Sequence, residues 1–130
     1  MLASQLKEHN ISPSVHRLAI YDYMLNHLTH PSVDSVYNDL QENMPTLSKT
    51  TVYNTLKLFA EKGLVQSLTI SDKCVRFDSD TSSHAHFLCD CCGELYDFPR
   101  AEVNLSDDLG FKIEKTQIYY KGTCPKCLKK

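Results

Sequence analysis

The chain has 130 residues and a mass of 14.8 kDa; 42% of its residues are hydrophobic, 23% are charged, and the formal net charge is −2. This composition fits one or two small globular domains and excludes a low-complexity or fibrous chain. The near-neutral charge argues against a nonspecific polyanion binder, although a local basic surface on a dimer still permits specific DNA recognition.

The first half of the chain contains three amphipathic helical patterns. Each follows a serine that can act as an N-cap, namely Ser14, Ser32 and Ser48, and Gly63 is expected to end the third helix. The positions predicted to face the core are Val15, Leu18, Ala19, Leu25 and Leu28 in the first helix, Val33, Val36, Tyr37 and Leu40 in the second, and Val52, Leu56, Phe59 and Ala60 in the third.

Two short strand patterns, LVQSLTI and CVRFD, follow the third helix and predict a turn at Ser71 to Lys73. Three helices with a two-stranded wing indicate a winged helix-turn-helix domain over residues 1–78. One face of the third helix carries short polar side chains and one lysine, which suit base edges and phosphates. These residues are Thr50, Tyr53, Asn54 and Lys57. The alternative is a helix face that contacts only solvent.

The second half of the chain predicts three strands, which makes the fold class α+β. HAHFLCD and ELYDF are expected to pair around a turn at Cys91 to Gly93. FKIEKTQIYYKGTC is expected to form the third strand, and PRAEVNLSDDLG a short helix after Pro99. The apolar positions of the third strand are Phe111, Ile113, Ile118 and Tyr120.

Six cysteines are present, and whether they form disulfides or bind metal depends on the redox state of the compartment. The start of the chain, MLASQLKEHN, lacks a signal-peptide core, and no run of about 20 apolar residues occurs, so we expect a cytoplasmic protein outside the membrane. In a reducing compartment, paired cysteines favour metal binding over disulfides. Two C-x-x-C pairs, Cys89 with Cys92 and Cys124 with Cys127, match a four-thiolate structural zinc site with one pair ending each of two strands. The alternative is a pair of reducible dithiols.

Histidine and aspartate form a second candidate metal site. His84 and His86 are two residues apart, so an extended strand places both imidazoles on one face, about 6.6 Å apart along the backbone. Asp97 lies on the next predicted strand, and Asp78 ends the second wing strand. Such a mixed set suits Fe(II) or Mn(II), with zinc as a competitor. The alternative is a histidine pair on the surface that binds nothing.

Several segments together resemble the ferric uptake regulator family of bacterial metal-dependent repressors. They are HPSVDSVYNDLQENMPTLSKTTVYNTLKLFAEKGLV, RFD, HAHFLCDCCGELYDF and CPKC, and the likeness extends from about Ser14 to Cys127. The resemblance implies a winged-helix DNA-binding domain (1–78), a hinge (79–83) and a zinc-containing α/β dimerisation domain (84–130). It also implies a homodimer that binds double-stranded DNA at an AT-rich inverted repeat.

The resemblance also implies which side chains hold the metals. Structural zinc would bind Cys89, Cys92, Cys124 and Cys127. The regulatory Fe(II) or Mn(II) would bind His30, Asp78, His84, His86 and Asp97. With ligands from both domains, the metal would favour one domain orientation, and DNA and metal would tighten each other's binding by the same factor.

Aspartate at both carboxylate positions, Asp78 and Asp97, resembles the peroxide-sensing branch of the family, whereas iron sensors more often have glutamate. In that branch, peroxide reacts at bound Fe(II) and oxygen is inserted into a ligand imidazole. By resemblance these imidazoles are those of His30 and His84, which are consumed rather than catalytic, so the protein is not expected to be an enzyme. Loss of a ligand would open the hinge and release DNA.

The DNA contacts carried over from the family are Arg17, Thr51, Tyr53, Asn54 and Lys57. Arg17 could equally pack against a helix. Ser12 stands where the family often has a basic residue, and Asn54 stands where many members have arginine, so we expect fewer phosphate contacts. Cys91, inside the first cysteine pair, is unusual, and Cys74 has no assigned role; both are either idle thiols or accessory redox sensors.

Three alternatives compete with a peroxide-responsive repressor. An iron-responsive repressor would use the same site without oxidation. A thiol redox sensor or dithiol oxidoreductase would use the cysteine pairs, but neither pair is predicted to lie between a strand and a helix, where a thiol pKa is lowered. A metallohydrolase would use the His/Asp site, but no general base or substrate cleft is evident in the sequence.

Overall fold

A computed structural model describes residues 2–69, 74–82, 84–99, 109–113 and 116–130. The elements are α1 (Leu2–Glu8), α2 (Val15–Asn26), α3 (Val33–Leu40), α4 (Lys49–Glu61), β1 (Gln66–Leu68), β2 (Arg76–Asp78), β3 (Ala85–Cys89), β4 (Leu95–Phe98), β5 (Tyr119–Gly122) and α5 (Pro125–Leu128). They divide into two compact units, Met1–Thr81 and Ser82–Lys130. Helices in the first unit and a sheet in the second give the predicted α+β fold. Among the described helices, none is long and apolar enough to cross a membrane.

The predicted helix starts are confirmed by three side-chain caps. Ser14 Oγ accepts from Arg17 N at 3.1 Å, Ser32 Oγ from Ser35 N at 3.2 Å, and Ser48 Oγ from Thr51 N at 3.1 Å. Each bond satisfies a backbone N–H that has no partner within its own helix. These caps fix where α2, α3 and α4 begin.

Gly63 ends α4, as predicted. Its φ of +80° is one that residues with a Cβ seldom adopt. Gly63 N donates to Ala60 O at 3.2 Å and Leu64 N donates to Phe59 O at 2.8 Å, so the last carbonyls of the helix are satisfied. The chain therefore leaves α4 in a fixed direction toward β1.

The predicted core face of α2 is wrong at three positions. Val15, Leu25 and Leu28 are exposed, and Leu28 lies beyond the end of the helix. Aromatic side chains bury large apolar areas, and two tyrosines outside the predicted core positions, Tyr21 and Tyr23, are buried. Their burial determines which face of α2 packs against the core. The buried residues of α2 are Ile20, Tyr21, Tyr23 and Met24.

The first unit also holds α1, a fourth helix outside the three predicted ones. It has seven residues, and Leu6 is fully buried in the core formed with α2 and α4. The predicted core positions of α4 are confirmed for Val52, Leu56 and Phe59, which have no exposed surface. A helix as short as α1 is stabilised by this packing rather than by its own hydrogen bonds.

The predicted two-stranded wing is confirmed. β1 and β2 are antiparallel, with Gln66 opposite Asp78 and Leu68 opposite Arg76. The turn predicted at Ser71 to Lys73 lies outside the described residues. Phe77 N donates to Pro31 O at 2.9 Å, so β2 is joined to the segment that leads into α3.

The second unit is a three-stranded sheet in the order β4-β3-β5, with β4 antiparallel and β5 parallel to β3. The predicted pairing of the first two strands is confirmed. The third strand begins at Tyr119, so the prediction that it includes Phe111 and Ile113 is wrong; both side chains are exposed. The helix predicted after Pro99 falls almost wholly outside the described residues, while α5 is an additional helix.

The two faces of this sheet carry different chemistry, because side chains alternate along a strand. His86 of β3 lies opposite Asp97 of β4 and Tyr119 of β5, on one face. The other face is aromatic and carries Cys89 at the end of β3. Its aromatic residues are Phe87, Tyr96, Phe98 and Tyr120, with Phe87 and Phe98 stacked at 5.2 Å between ring centroids.

Candidate metal centres

The first cysteine pair is formed by the turn after β3. Cys89 ends the strand, and its carbonyl accepts a hydrogen bond from Gly93 N at 2.8 Å, which closes the turn. Gly93 has a φ of +76°, a value that favours glycine. Cys92 lies within the turn, and its N–H donates to Cys89 Sγ at 3.4 Å.

The second cysteine pair reaches the same point along the neighbouring strand. β5 runs parallel to β3 with Gly122 opposite Cys89, and Asp90 N donates to Gly122 O at 2.8 Å. Cys124 follows two residues later, and its N–H donates to Cys89 Sγ at 3.4 Å. The first turn of α5 then returns Cys127 toward Cys124. Parallel pairing, not sequence proximity, thus unites the two pairs.

The four sulfurs fit a single zinc ion. Their mutual distances are all within 4.8 Å, and two of them, Cys89 to Cys127 and Cys92 to Cys124, are 3.8 Å. Four sulfurs placed tetrahedrally at about 2.3 Å from zinc are about 3.8 Å apart. A disulfide requires a sulfur separation of about 2.05 Å, so the arrangement is not that of two disulfides. The site is closed, because four protein ligands leave no open position.

Hydrogen bonds to two of the four sulfurs, those of Cys89 and Cys124, favour the thiolate form that zinc requires. The N–H groups of Cys92 and Cys124 lower the pKa of Cys89 to about 6. Tyr96 lies within hydrogen-bonding reach of the Cys124 sulfur, and this bond, with burial, raises the pKa of the tyrosine to about 12. Donors of this kind beyond the ligands fix the orientation of a metal site.

The second pair differs from the prediction that neither pair lies between a strand and a helix. Cys124 follows β5 and is the N-cap residue of α5. The Cys127 N–H, together with the Tyr96 hydroxyl, lowers the pKa of Cys124. With the other three sulfurs around it, this thiol is placed for metal coordination rather than for attack on a substrate disulfide.

Two other cysteines, Cys74 and Cys91, lie outside the four-sulfur cluster. Both are exposed. The Cys91 thiol hydrogen-bonds to Cys127, and this bond, with burial of Cys127, raises the pKa of the latter. Nothing in the described part of the chain assigns a function to either thiol.

The second unit brings His84, His86 and Asp97 together. His84 Nε2 lies 3.2 Å and His86 Nε2 lies 3.4 Å from the same oxygen, Asp97 Oδ1, and the two imidazole centroids are 4.5 Å apart. The β3–β4 register produces this, because it places His86 directly opposite Asp97. The pattern of two histidines on one face with a carboxylate on the next strand is therefore observed as predicted.

The orientation of His84 fits a cation between these groups. His84 Nδ1 lies 2.9 Å from Ser82 O, and since a carbonyl only accepts, Nδ1 carries the proton of the neutral ring. In that tautomer Nε2 presents a lone pair to the Asp97 carboxylate. A metal ion or a proton between the two groups would relieve the repulsion between them. Metal-binding histidines usually donate their other N–H to a carbonyl in this way.

The first unit brings His30 and Asp78 together. His30 Nε2 lies 3.5 Å from Asp78 Oδ2, and both side chains are almost fully buried, with 4% and 5% exposed. Two ligands about 2.1 Å from one ion, at angles between octahedral and tetrahedral, lie about 3.0 to 3.4 Å apart. The imidazole–carboxylate distances in both units are near this range and longer than a typical charge-assisted hydrogen bond.

His30 is the ligand candidate that local sequence patterns do not reveal. It lies between helices, apart from the H-x-H pair, and only family resemblance points to it. Its φ is +60°, a left-handed conformation that is uncommon for residues other than glycine but enriched for histidine. A polar residue before Pro31 in a short interhelical segment is the one signal available from sequence.

The predicted DNA-contact residues lie mostly on one face of α4. Tyr53, Asn54 and Lys57 are exposed, whereas Thr51 is half-buried and its hydroxyl is 3.0 Å from that of the cap residue Ser48. Arg17 lies on α2, and its Nη1 donates to Ser12 O at 2.8 Å. The arginine therefore stabilises the segment before α2 in this structure, and Ser12 contributes its backbone carbonyl.

Comparisons with known proteins agree on one family. The model of the ferric uptake regulator family matches residues 8–121. The peroxide operon regulator of Bacillus subtilis is 38% identical over 96% of this chain and 90% of its own length. The structure of PerR from Streptococcus pyogenes is 34% identical with a TM-score of 0.55, covering 95% of this chain and 88% of that one. The manganese-bound ferric uptake regulator of Pseudomonas aeruginosa is 20% identical with a TM-score of 0.76, covering 96% and 98%, and supports the fold alone.

Proposed function

We propose that this chain, which belongs to the ferric uptake regulator family, is a peroxide-responsive, metal-dependent transcriptional repressor. Members of the family are transcriptional regulators and not enzymes. The relatives named for peroxide response match over nearly the whole chain. The observation that carries the proposal is the pairing of a histidine with an aspartate in each unit, His30 with Asp78 and His86 with Asp97.

The two pairs are proposed to be halves of one regulatory site. His30 and Asp78 belong to the unit with the helix-turn-helix, while His84, His86 and Asp97 belong to the unit with the sheet. One ion bound by both halves would hold the proposed domains, residues 1–78 and 84–130, in one orientation across the hinge at 79–83. An ion that binds this orientation better shifts the population toward it. DNA binding and metal binding then strengthen each other by about 1–3 kcal/mol.

The metal proposed for this site is Fe(II) or Mn(II). Two carboxylates with imidazoles form a harder ligand set than four thiolates, which matches these ions. Bound Fe(II) would supply the electrons that activate hydrogen peroxide. In the net reaction, peroxide transfers one oxygen atom to a ring carbon of His30 or His84 and leaves as water, while the imidazole is oxidised by two electrons. An oxidised ring binds metal less well, so the two domains separate and DNA is released.

The four-cysteine site is proposed to hold permanent zinc through Cys89, Cys92, Cys124 and Cys127. Its fit to a ZnS₄ tetrahedron supports this assignment. Bound zinc would stabilise the second unit by on the order of 10 kcal/mol, which so small a module needs. A cytoplasmic location, also proposed, keeps these thiols reduced.

Homodimerisation is proposed to use the aromatic face of the sheet. Phe98 and Tyr120 are 40% and 41% exposed, and their ring centroids lie 5.6 Å apart. An exposed apolar patch of this kind on a small unit is typical of an interaction surface. A two-fold dimer presents two α4 helices, which matches an AT-rich inverted repeat in double-stranded DNA.

Contacts to DNA are proposed for Tyr53, Asn54 and Lys57, and also for Thr51 and Arg17. Their exposure on α4 supports the first three. Amide and hydroxyl groups read base edges, and lysine binds phosphate. For Arg17, DNA would have to replace the Ser12 carbonyl as hydrogen-bond acceptor.

The deciding experiment exposes the Fe(II)-loaded protein to micromolar hydrogen peroxide, with an AT-rich inverted-repeat duplex present. We expect peptide mass spectrometry to find one added oxygen atom on His30 or His84 and DNA to be released in parallel. His9 and His16, in the same chain but outside the site, are the internal controls, and metal-free protein is the second control. Retained DNA binding with unmodified His30 and His84 would instead identify an iron-responsive repressor that does not sense peroxide.

A further inference from the structure

The backbone at His30 needs external support. Its φ of +60° is costly for a residue with a Cβ, and the following proline favours an extended conformation at this position instead. Such a conformation persists only where the surroundings over-determine it, and it concentrates at functional sites. The imidazole that faces Asp78 therefore depends on whatever holds this peptide.

Strand β2 holds that peptide through two contacts. Phe77 N donates to Pro31 O at 2.9 Å, within an isolated antiparallel bridge that pairs Ser32 with Arg76. The second contact is made by a side chain: Arg76 Nη1 donates to His30 O at 3.3 Å. Since Asp78 is two residues further along the same strand, β2 supplies both the carboxylate and the support for its histidine partner.

The Arg76 side chain is half-buried. Its Nε is buried and forms no hydrogen bond within the described part of the chain. A guanidinium stays charged in proteins, and burying one of its N–H groups without a hydrogen bond costs free energy. The bond from Nη1 to the His30 carbonyl is the side-chain contact that offsets part of this cost.

We propose that Arg76 is a positioning residue of the regulatory site: it binds the His30 carbonyl and so holds the His30 imidazole toward Asp78. The inference rests on the proposed function for the identity of the ion. It predicts that Arg76 acts on metal affinity and on the relative reactivity of the two histidines without touching the ion. Outer groups of this kind change metal affinity by about 10- to 100-fold when removed.

The test compares Arg76→Met, Arg76→Lys and the charge-matched surface variant Lys62→Met in the full-length zinc-containing protein. Mn(II) affinity is measured by electron paramagnetic resonance, and the fine structure of the bound Mn(II) spectrum is recorded as well. We expect Arg76→Met to weaken Mn(II) binding by about 10- to 100-fold. Lysine can still donate to the His30 carbonyl and recovers most of this loss, and Lys62→Met matches the unsubstituted protein.

A second readout is the distribution of oxidation. With Fe(II) and peroxide, Arg76→Met is expected to lower the ratio of oxidised His30 to oxidised His84, because His84 lies on the other unit. If the unsubstituted protein binds Mn(II) but oxidises neither histidine, peroxide sensing fails while the affinity comparison still decides Arg76. Unchanged Mn(II) affinity and spectrum in Arg76→Met, or no recovery by lysine, would overturn the proposal. If Arg76→Met does not fold, Arg76→Thr, whose side chain is too short to donate to the His30 carbonyl, takes its place in both measurements.

Discussion

At the residue scale, each of the two groups of histidines faces a single carboxylate. Asp97 Oδ1 is the one oxygen that both His84 and His86 face, at 3.2 and 3.4 Å, and half of the Asp97 side chain is exposed. Asp78 performs the same role for His30 in buried surroundings. The two aspartates therefore differ in access to solvent.

Asp97→Ala removes the shared carboxylate and is expected to weaken Mn(II) binding by at least about 100-fold, because a direct ligand matters more than the outer groups whose loss costs about 10- to 100-fold. Isothermal titration with Mn(II) measures the change. Asp22→Ala, at an exposed carboxylate on α2, is the control. Equal Mn(II) affinity in the two variants would exclude Asp97 from the site.

Tyr23 gives a prediction for stability. Its hydroxyl donates to Asp39 Oδ2 at 2.5 Å, and burial, followed by this bond, raises the pKa of Tyr23. We expect Tyr23→Phe to lower the free energy of unfolding by about 1 kcal/mol at neutral pH, since Asp39 is exposed and water replaces the lost donor. Urea denaturation measures the effect, with Tyr53→Phe, at an exposed position, as the control.

The raised pKa of Tyr23 also predicts how folding stability changes with pH. A group whose folded pKa is raised contributes stability below its unfolded pKa, about 10, and this contribution is lost as pH rises through the folded value. The unsubstituted protein should therefore lose stability above about pH 10, and Tyr23→Phe should lose less. A parallel decline in both proteins would contradict this assignment.

The role of a residue could be predicted from the sequence where its partners are close in the chain. It was missed where its partners are distant in the chain. The caps Ser14, Ser32 and Ser48 follow from bonds three residues long. The His30 carbonyl accepts a hydrogen bond from Arg76, 46 residues later, and the contact between Arg17 and Ser12 is a loop geometry that no periodicity encodes. Positions supported across such separations require the fold to be known.

At the scale of elements, the four-cysteine cluster is built from a strand end, a turn, a parallel strand end and a four-residue helix. The C-x-x-C spacing was sufficient to predict that the four cysteines come together, because each gap of two residues lets both sulfurs face one point. It did not predict α5, which is too short to have a helical period. Nor did it predict that β5 begins only at Tyr119, since apolar residues upstream alternate as a strand would.

Cys127→Ser tests the four-sulfur cluster, and Cys91→Ser, outside that cluster but hydrogen-bonded to Cys127, is its matched control. We expect Cys127→Ser to bind less than one zinc per chain and to lose several kcal/mol of stability, since zinc binding is coupled to folding. Cys91→Ser should retain one zinc per chain. Metal analysis by mass spectrometry and thermal denaturation measure both; loss of zinc in Cys91→Ser alone would mean that the ligand set is different.

On the scale of the whole molecule, charge limits how DNA can be bound. Residues 1–81 contain seven lysine and arginine residues against nine aspartate and glutamate residues. Both arginines of this segment, Arg17 and Arg76, donate to backbone carbonyls. Lys49 of α4 lies 3.2 Å from Asp34 and forms an ion pair with it. Lys57 is the lysine among the proposed DNA-contact residues of α4. Recognition is therefore expected to rely on base contacts more than on phosphate contacts.

Fluorescence anisotropy over a series of KCl concentrations tests this balance. Lys57→Ala is expected to reduce the slope of log affinity against log salt by about 2 for a dimer, because each phosphate contact contributes about 0.9. Asn54→Ala should leave that slope unchanged and weaken discrimination between operator and mutated operator by about 1–3 kcal/mol. The opposite assignment of the two effects would show that Asn54 binds backbone and Lys57 does not.

Strand β3 has one further consequence, which follows from its length. His86 and Cys89 are three positions apart on the same five-residue strand, so they project from opposite faces. On the proposed assignments, one short strand therefore serves both ions, and loss of zinc on one face would disturb the pairing that places His86 opposite Asp97 on the other. Zinc-depleted protein is then expected to take up the exchangeable ion less tightly than zinc-containing protein does.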